Sequence, residues 1–364
     1  MNDQSDPAGT ATVSLADLDA FCRAVLTAVG ADEATVDASA RAMIHGTRFG
    51  VDSHGVRLLA HYVNELEGGR TKKRPTLTFP RSFGAVAALD GGNAHGPRAT
   101  YAAMDKAIEL ADQFGIGAVG IANSAHFAAA GAYAMAAADR GFIGYACCNA
   151  DNVVKLHGGA APFHSTNPHA WAMPRPDGRH WFLDMATSAI PFNRVLLYRS
   201  LDRSLPEGVA ADSAGNPTTS PHEAAMLMPL GGDFGYKGAG LAGVAELMSA
   251  VLNGMALSSE LIPMAGPDLA TPRPMGAFVM ALKVDAFADR DTVDATMSRY
   301  LGALRGSPAQ PGETVMAPGD REWKVADLRD VEGVPLDPAT HQAFVALAAR
   351  YGVALPASLT DTAH

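Results

Sequence analysis

From Leu15 onward apolar residues recur at helical spacing, at Leu15, Leu18, Phe21, Val25 and Val29, with Ser14 and Asp17 placed to form a capping box. The residues before about Thr12 carry no such pattern and read as a loose tail. Asp32 begins a second helix through Val36, Ala40, Met43 and Ile44, and a third runs from Val56 to Leu66, stopped by Gly68 and Gly69. Past Lys72, Lys73 and Arg74 the texture changes to short apolar runs alternating with helices. Strands are expected from Val86 to Leu89, Ile116 to Ile121 and Phe142 to Cys148, with helices opened by Pro97 and running from Tyr133 to Ala138. Ala170 to Met173 and Trp181 to Asp184 suggest a hairpin across Pro176-Asp177-Gly178. A short helix or irregular turn starts at Phe192, and Pro206 to Pro221 reads as polar loop. Leu241, Val244, Leu247, Met248 and Val251 make a helical stripe ending near Gly254, and Ala277 to Val284 reads as a strand. Residues 306 to 319 are rich in Pro and Gly, and the chain is then helical to Tyr351, with Asp337 as cap and Pro338 in the first turn.

This order predicts an α/β (α+β) protein with a mixed sheet, organised as a helical segment over residues 1–74, an α/β segment over 75–235 and a completing segment over 236–364. Length supports it, since 364 residues can bury a large core and favour more than one domain. Hydrophobic residues make up 48% and charged residues 18%, which excludes disorder for most of the chain. A net charge of -10 removes the electrostatic reason to bind nucleic acid. Cys22, Cys147 and Cys148 offer neither CxxC spacing nor a disulfide framework and fit a reduced cytoplasm. No basic region with an apolar stretch opens the chain, and no segment reaches membrane-spanning length.

Gly115-Ile116-Gly117-Ala118-Val119-Gly120 matches GxGxxG, but in the wrong context. A dinucleotide fingerprint needs strand, glycine turn and then helix. Here a helix ends at Phe114 and a strand follows, so Gly115 reads as a left-handed helix C-cap.

Chemistry concentrates elsewhere. Arg48, Asp52, Ser53, His54 and Arg57 fall between the second and third helices, punctuated by Gly50 and Gly55. A histidine passes protons near neutral pH, and a guanidinium fork matches a carboxylate, so the cluster suggests acid–base chemistry on a small anion. The alternative is a polar turn in which Asp52 and Ser53 cap the next helix. His126 lies at the carboxyl end of a strand, where ligands of α/β proteins collect, or serves as a structural hydrogen-bonding group. Ser165-Thr166-Asn167-Pro168 is a turn by composition. Asp184-Met185-Ala186-Thr187-Ser188 either holds ribose hydroxyls or caps a helix. Lys237, among Gly235, Gly238 and Gly240 at a helix start, suits a diphosphate or lies solvated. The histidines include no pair such as HxxxH, so no metal is expected.

Taken together, Asp52-Ser53-His54-Gly55-Val56-Arg57, Asn123-Ser124-Ala125-His126-Phe127, Thr166-Asn167-Pro168, Leu183-Asp184-Met185-Ala186-Thr187-Ser188, Gly235-Tyr236-Lys237-Gly238 and Pro318-Gly319 resemble, in order and spacing, the malate/L-lactate dehydrogenase family of type 2. The resemblance implies a non-Rossmann NAD(P)-binding fold with a helical domain built from N- and C-terminal segments, in a homodimer. It implies hydride exchange between NAD or NADP and C2 of a small 2-hydroxy or 2-oxo acid. Reduction of a cyclic imine carboxylate, such as piperideine-2-carboxylate, is the alternative. A non-catalytic ligand-binding protein on the same scaffold is a third reading, against which Ser53, His54 and Lys237 argue.

By resemblance His54 is the proton donor or acceptor with Ser53 beside it, and His126 a second catalytic histidine. Arg48 and Arg57 would hold the substrate carboxylate, although Leu58 stands where other members carry the later arginine. Thr166, Asp184, Met185, Ala186, Lys237, Gly319 and Asp320 would hold the cofactor. Two departures stand out: His126-Phe127-Ala128 in place of HFG, and Ser165-Thr166-Asn167-Pro168 in place of GTNP.

Overall fold

Ser14 accepts the Asp17 N–H at 3.0 Å and so starts helix α1 (Leu15–Val29), whose Leu18, Phe21, Val25 and Val29 are buried. The computed structural model describes residues 12–360, so the expected tail lies outside the described residues. Asp32 caps α2 (Glu33–Arg48) in the same way. A single 3-10 turn over Asp52–His54 and a second over Val56–Leu58 lead into α3 (Leu59–Gly68). The remaining helices are α4 (Gly96–Phe114), α5 (Gly131–Ala138), α6 (Phe192–Ser200), α7 (Tyr236–Glu246), α8 (Arg290–Arg305), α9 (Asp320–Glu332), α10 (Pro338–Tyr351) and the single turn α11 (Ala357–Thr360). Phe21 of α1 packs on Phe344 of α10 with ring centroids 4.8 Å apart, which joins the N- and C-terminal segments into one helical body. Among the described residues, no helix is long and apolar enough to cross a membrane.

The main sheet holds seven strands: β1 (Thr78–Phe83), β2 (Val86–Asp90), β3 (Ile116–Ser124), β4 (Phe142–Cys148), β5 (His169–Met173), β6 (Trp181–Met185) and β7 (Met275–Lys283). Their order is β1-β2-β3-β7-β4-β5-β6, with β2 and β3 parallel and the other pairs antiparallel, so the sheet is mixed as expected. β5 and β6 form the expected hairpin. β7, from late in the chain, lies between β3 and β4, which is how the last segment completes the sheet. A second sheet of five short strands has its own small core of Val154, Val195, Leu205, Ala210, Ala224 and Leu227. Two of those strands, Ala210–Ala211 and Pro217–Thr218, fall inside the segment expected as polar loop.

Two findings depart from the apolar pattern. The stripe of Leu241, Val244, Leu247 and Val251 is the outward face of its helix, each of these residues being 45–56% exposed. The buried face carries Ala242, Ala245 and Ser249, because small residues let the helix approach the sheet until a Cβ on Gly276 of β7 would lie 1.9 Å from the Ser249 carbonyl. The helix also turns to π geometry over Leu247–Val251. The second departure is β1, whose six residues are all exposed and show no alternation to read.

The glycine string behaves as its context requires. Gly115 caps α4 with φ +83°, and Gly117 and Gly120 lie within β3. A Cβ on Gly117 would come 1.9 Å from the Ala107 carbonyl of α4, so that glycine serves helix–strand packing.

Candidate active site

The turn at Asp52–His54 is held from the far end of the chain. Arg329 of α9 donates to both carboxylate oxygens of Asp52 at 2.5 and 2.9 Å, and also to the Thr47 carbonyl. The next residue, Asp330, accepts both Nε and Nη2 of Arg48 at 2.8 and 2.7 Å. Arg48 also lies against the rings of Phe49 and Trp323. Arg57 is exposed and has no acid partner among the described residues. Arg48 and Asp52 are thus engaged by α9, while Ser53 and His54, both partly buried, are not held by it.

Ser53 Oγ sits 2.7 Å from His54 Nδ1, and the His54 ring stacks on that of His126 with centroids 5.5 Å apart and planes 26° from parallel. His126 follows the carboxyl end of β3, and its Nδ1 is 2.9 Å from the Tyr62 hydroxyl of α3. Tyr62 is fully buried and its hydroxyl titrates well above the ordinary range, so it stays a donor. The Ala128 N–H also points at the same nitrogen, at 3.5 Å. With Nδ1 accepting, the neutral ring carries its proton on Nε2. Burial pushes His54 down to about 4 and His126 well below 6.5, the latter helped by the positive charge of Arg273. Both rings are therefore neutral at pH 7 in the free protein.

The expected cofactor positions divide between the turn at Thr166, the end of β6, α7 and the start of α9. Asp184, near the end of β6, accepts the Gly131 N–H of α5 at 2.8 Å, and burial raises its carboxyl to about 6. Helix capping thus describes one of its oxygens. Met185 pairs with His169 and Ala186 follows it, both partly buried. The Thr166 carbonyl accepts the Thr187 N–H and hydroxyl, which ties the two turns together. Beside Thr166, Asn167 Oδ1 is buried without a hydrogen-bond partner among the described residues. Lys237 is the second residue of α7, exposed, with no acid partner among the described residues and its ammonium 5.4 Å above the Phe234 ring. A free ammonium at a helix N-terminus fits a diphosphate. Gly319 precedes α9 and packs on Phe182, while Asp320 is held by Arg305 at 2.6 and 3.0 Å.

Sequence reasoning missed Tyr62, Arg329 and Arg273. Tyr62 sits on the apolar face of α3 and looks like core, whereas Arg329 on α9 gives no local sign of a partner far back in the chain. Arg273 did have a signal, standing between Pro272 and Pro274 before an apolar strand.

A family model described as malate/L-lactate dehydrogenase matches residues 13–345. The chain belongs to the malate/L-lactate dehydrogenase family. A malate dehydrogenase of Pyrococcus abyssi is 31% identical over 345 residues, covering 93% of this chain and 94% of that protein. The structure of malate dehydrogenase from Entamoeba histolytica superposes with a TM-score of 0.90 at 27% identity, over 95% of this chain and 99% of that one. A delta1-piperideine-2-carboxylate reductase from Pseudomonas syringae pvar. tomato superposes with a TM-score of 0.81 at 26% identity, over 93% and 100% of the two chains. This member of the family is accordingly an oxidoreductase that works with a nicotinamide cofactor.

Proposed function

We propose that the enzyme interconverts a small 2-oxo acid and its 2-hydroxy acid, of the malate, lactate or sulfolactate kind, using NAD or NADP. The observation that carries this reading is the stacked His54–His126 pair, each ring tied back through Nδ1 to a hydroxyl, in a chain of this family. A nicotinamide cofactor held by Lys237, Thr166 and the turn at residues 184–186, with Gly319 and Asp320 beyond, supplies the hydride when bound. His54 is the first candidate for the proton. In oxidation its neutral imidazole accepts the hydroxyl proton, and in reduction its imidazolium stabilises and protonates the developing alkoxide. An anionic substrate favours the imidazolium and so offsets the burial that keeps the free ring neutral.

Reduction of a cyclic imine carboxylate is the second reading. It is favoured by the two neutral histidines, since an imine brings its own proton on nitrogen, and by the likeness to a piperideine-2-carboxylate reductase. We also propose a homodimer, supported by the exposed apolar stripe on α7 and the π segment, and a cytoplasmic setting, supported by three free buried cysteines. The deciding experiment follows nicotinamide absorbance with oxaloacetate, pyruvate, sulfopyruvate and piperideine-2-carboxylate, each with NADH and NADPH. Turnover of the imine alone would replace the first reading by the second, and no turnover at all would reject both.

A further inference from the structure

A cavity of about 310 Å³ opens beside the Gly319–Asp320 loop, at the end of β6 opposite the turn at residues 184–186. Trp181, Trp323 and Pro318 give it flat apolar walls. Arg175, Arg179 and Arg305 line it together with Asp177 and Asp320, so positive charge outnumbers negative among the lining side chains. The volume suits the nucleoside end of a dinucleotide, small-molecule pockets running from roughly 300 Å³ upward. Trp181 Nε1, an indole group that can only donate, is buried without a hydrogen-bond partner among the described residues. A buried donor left unmatched is costly, and native folds rarely keep one without a use.

The arginines are held in place by the fold. In the turn between β5 and β6 the Arg175 N–H donates to His180 Nδ1 at 3.0 Å, Arg175 Nη1 donates to the Arg179 carbonyl at 2.9 Å, and Nη2 lies 2.8 Å from Asp177. Arg179 turns toward α9, where both carboxylate oxygens of Asp327 accept from it, and its guanidinium covers the Trp323 ring. Arg305, in the last turn of α8, donates through Nε and Nη2 to Asp320 at 3.0 and 2.6 Å and keeps Nη1 without an acceptor among the described residues.

The state of Asp320 decides what such a cavity selects. In dinucleotide sites a carboxylate at the adenosine ribose accepts the 2'-hydroxyl of NAD, whereas an arginine in that place accommodates the 2'-phosphate of NADP. Here the carboxylate is already committed: Arg305 holds both of its oxygens, and the Ala317 N–H donates to one of them at 2.8 Å. The bonds from Arg305, with the nearby charge of Arg175, hold Asp320 below the usual carboxylate range.

We propose that this cavity receives the adenosine end of the cofactor, that Arg305 and Arg175 bind the 2'-phosphate, and that the enzyme therefore prefers NADPH to NADH. This rests on the reading of Gly319 and Asp320 as cofactor positions. A phosphate brings more charge and more acceptor oxygens than a ribose hydroxyl, and two fixed guanidiniums meet it with charge-assisted bonds that NADH cannot form. Trp181 Nε1 is the donor left for the base.

The test is calorimetric titration of NADPH, NADH, adenosine 2'-monophosphate and inorganic phosphate into wild type, Arg305→Ala, Arg305→Lys and Arg175→Ala, with thermal melts to show that each variant is folded. Wild type is expected to bind NADPH about 10-fold or more tighter than NADH, and adenosine 2'-monophosphate tighter than inorganic phosphate. Arg305→Ala is expected to bring the two dinucleotides within about threefold of each other by weakening NADPH alone, and Arg175→Ala to do so in part. Arg305→Lys should fall between, because an ammonium is a point charge and not a fork. Should Arg305→Ala fail to fold, the wild-type preference and Arg175→Ala carry the test. Wild type that binds NADH as tightly as NADPH, or folded variants that keep the wild-type preference, overturn the proposal and leave the arginines as ties between α8, α9 and the β5–β6 turn. Inorganic phosphate bound as tightly as adenosine 2'-monophosphate overturns it as well, by showing an anion site that does not read the nucleoside. Wild type that binds neither dinucleotide would instead defeat the reading of Gly319 and Asp320 as cofactor positions, and the inference with it.

Discussion

His54 and His126 come from different segments of the chain and lie ring against ring, 5.5 Å between centroids. Each keeps a fixed hydroxyl on Nδ1, so the two Nε2 atoms are the groups free to meet a substrate. His54→Ala is expected to lower turnover about 100-fold or more with cofactor binding retained, as for loss of a general acid or base. Fluorescence titration of NADH or NADPH alongside kcat checks this. If His54→Ala keeps near-normal turnover and His126→Ala does not, the proton role passes to His126.

Acid should loosen the fold before carboxylates at the surface titrate. Burial holds His54 and His95 down to about 4 and His45 down to about 3, against an ordinary value of 6.5. Between these values and 6.5 the unfolded chain binds protons that the folded chain refuses. Stability therefore falls as pH drops through that window, by about 1.4 kcal/mol per pH unit for each histidine. Asp184 acts in the opposite direction, because its raised value of about 6 makes the folded state the better proton binder, but it is one group against three. Melting temperature measured from about pH 7 to about pH 5 should decline steadily, and a flat profile would refute the buried neutral histidines.

Cofactor affinity should respond to Lys237 and not to the glycine string. Lys237→Ala is expected to weaken NAD(P)H binding roughly tenfold, with little change in melting temperature. Gly115→Ala should cost about 1 kcal/mol of stability, since alanine resists a positive φ. Gly117→Ala should cost about 1–3 kcal/mol from the clash with α4. Calorimetric titration and thermal melts on the three variants separate the cases. Selective loss of affinity in Gly117→Ala would show a pyrophosphate at the glycines after all.

The outward stripe on α7 and the π segment that follows it gives a prediction about assembly. Leu247→Glu and Val251→Glu place charge on residues 56% and 55% exposed in the single chain, so neither should unfold the protomer. Both should shift sedimentation from dimer to monomer. A dimer unaffected by either change would locate the interface elsewhere.

Legibility followed burial. α1, α2 and α4 each bury one face, and their caps at Ser14, Asp32 and Gly115 stand in the sequence as they do in the fold. α8 buries Leu301 alone and β1 buries nothing, so neither imposes a period on its residues. The α7 stripe was readable as helix, but not which way it faces, because periodicity marks an apolar face without naming what covers it. His54, Ser53 and His126 were legible as chemistry. The stacking of the two histidines was not, and the arginines that hold Asp52 and Asp151 lie 277 and 122 residues away in sequence, where no local pattern points.

The grip of Arg329 on Asp52 also sets an order of events during synthesis. Domains form as the chain emerges, N-terminal parts first, yet the turn that carries Ser53 and His54 waits for a helix near the other end. A growing chain released before α9 would own nearly every residue of the site and lack the anchor that shapes it. A chain cut short of Arg329 is therefore expected to lose turnover, because the turn that presents His54 would be left without its clamp.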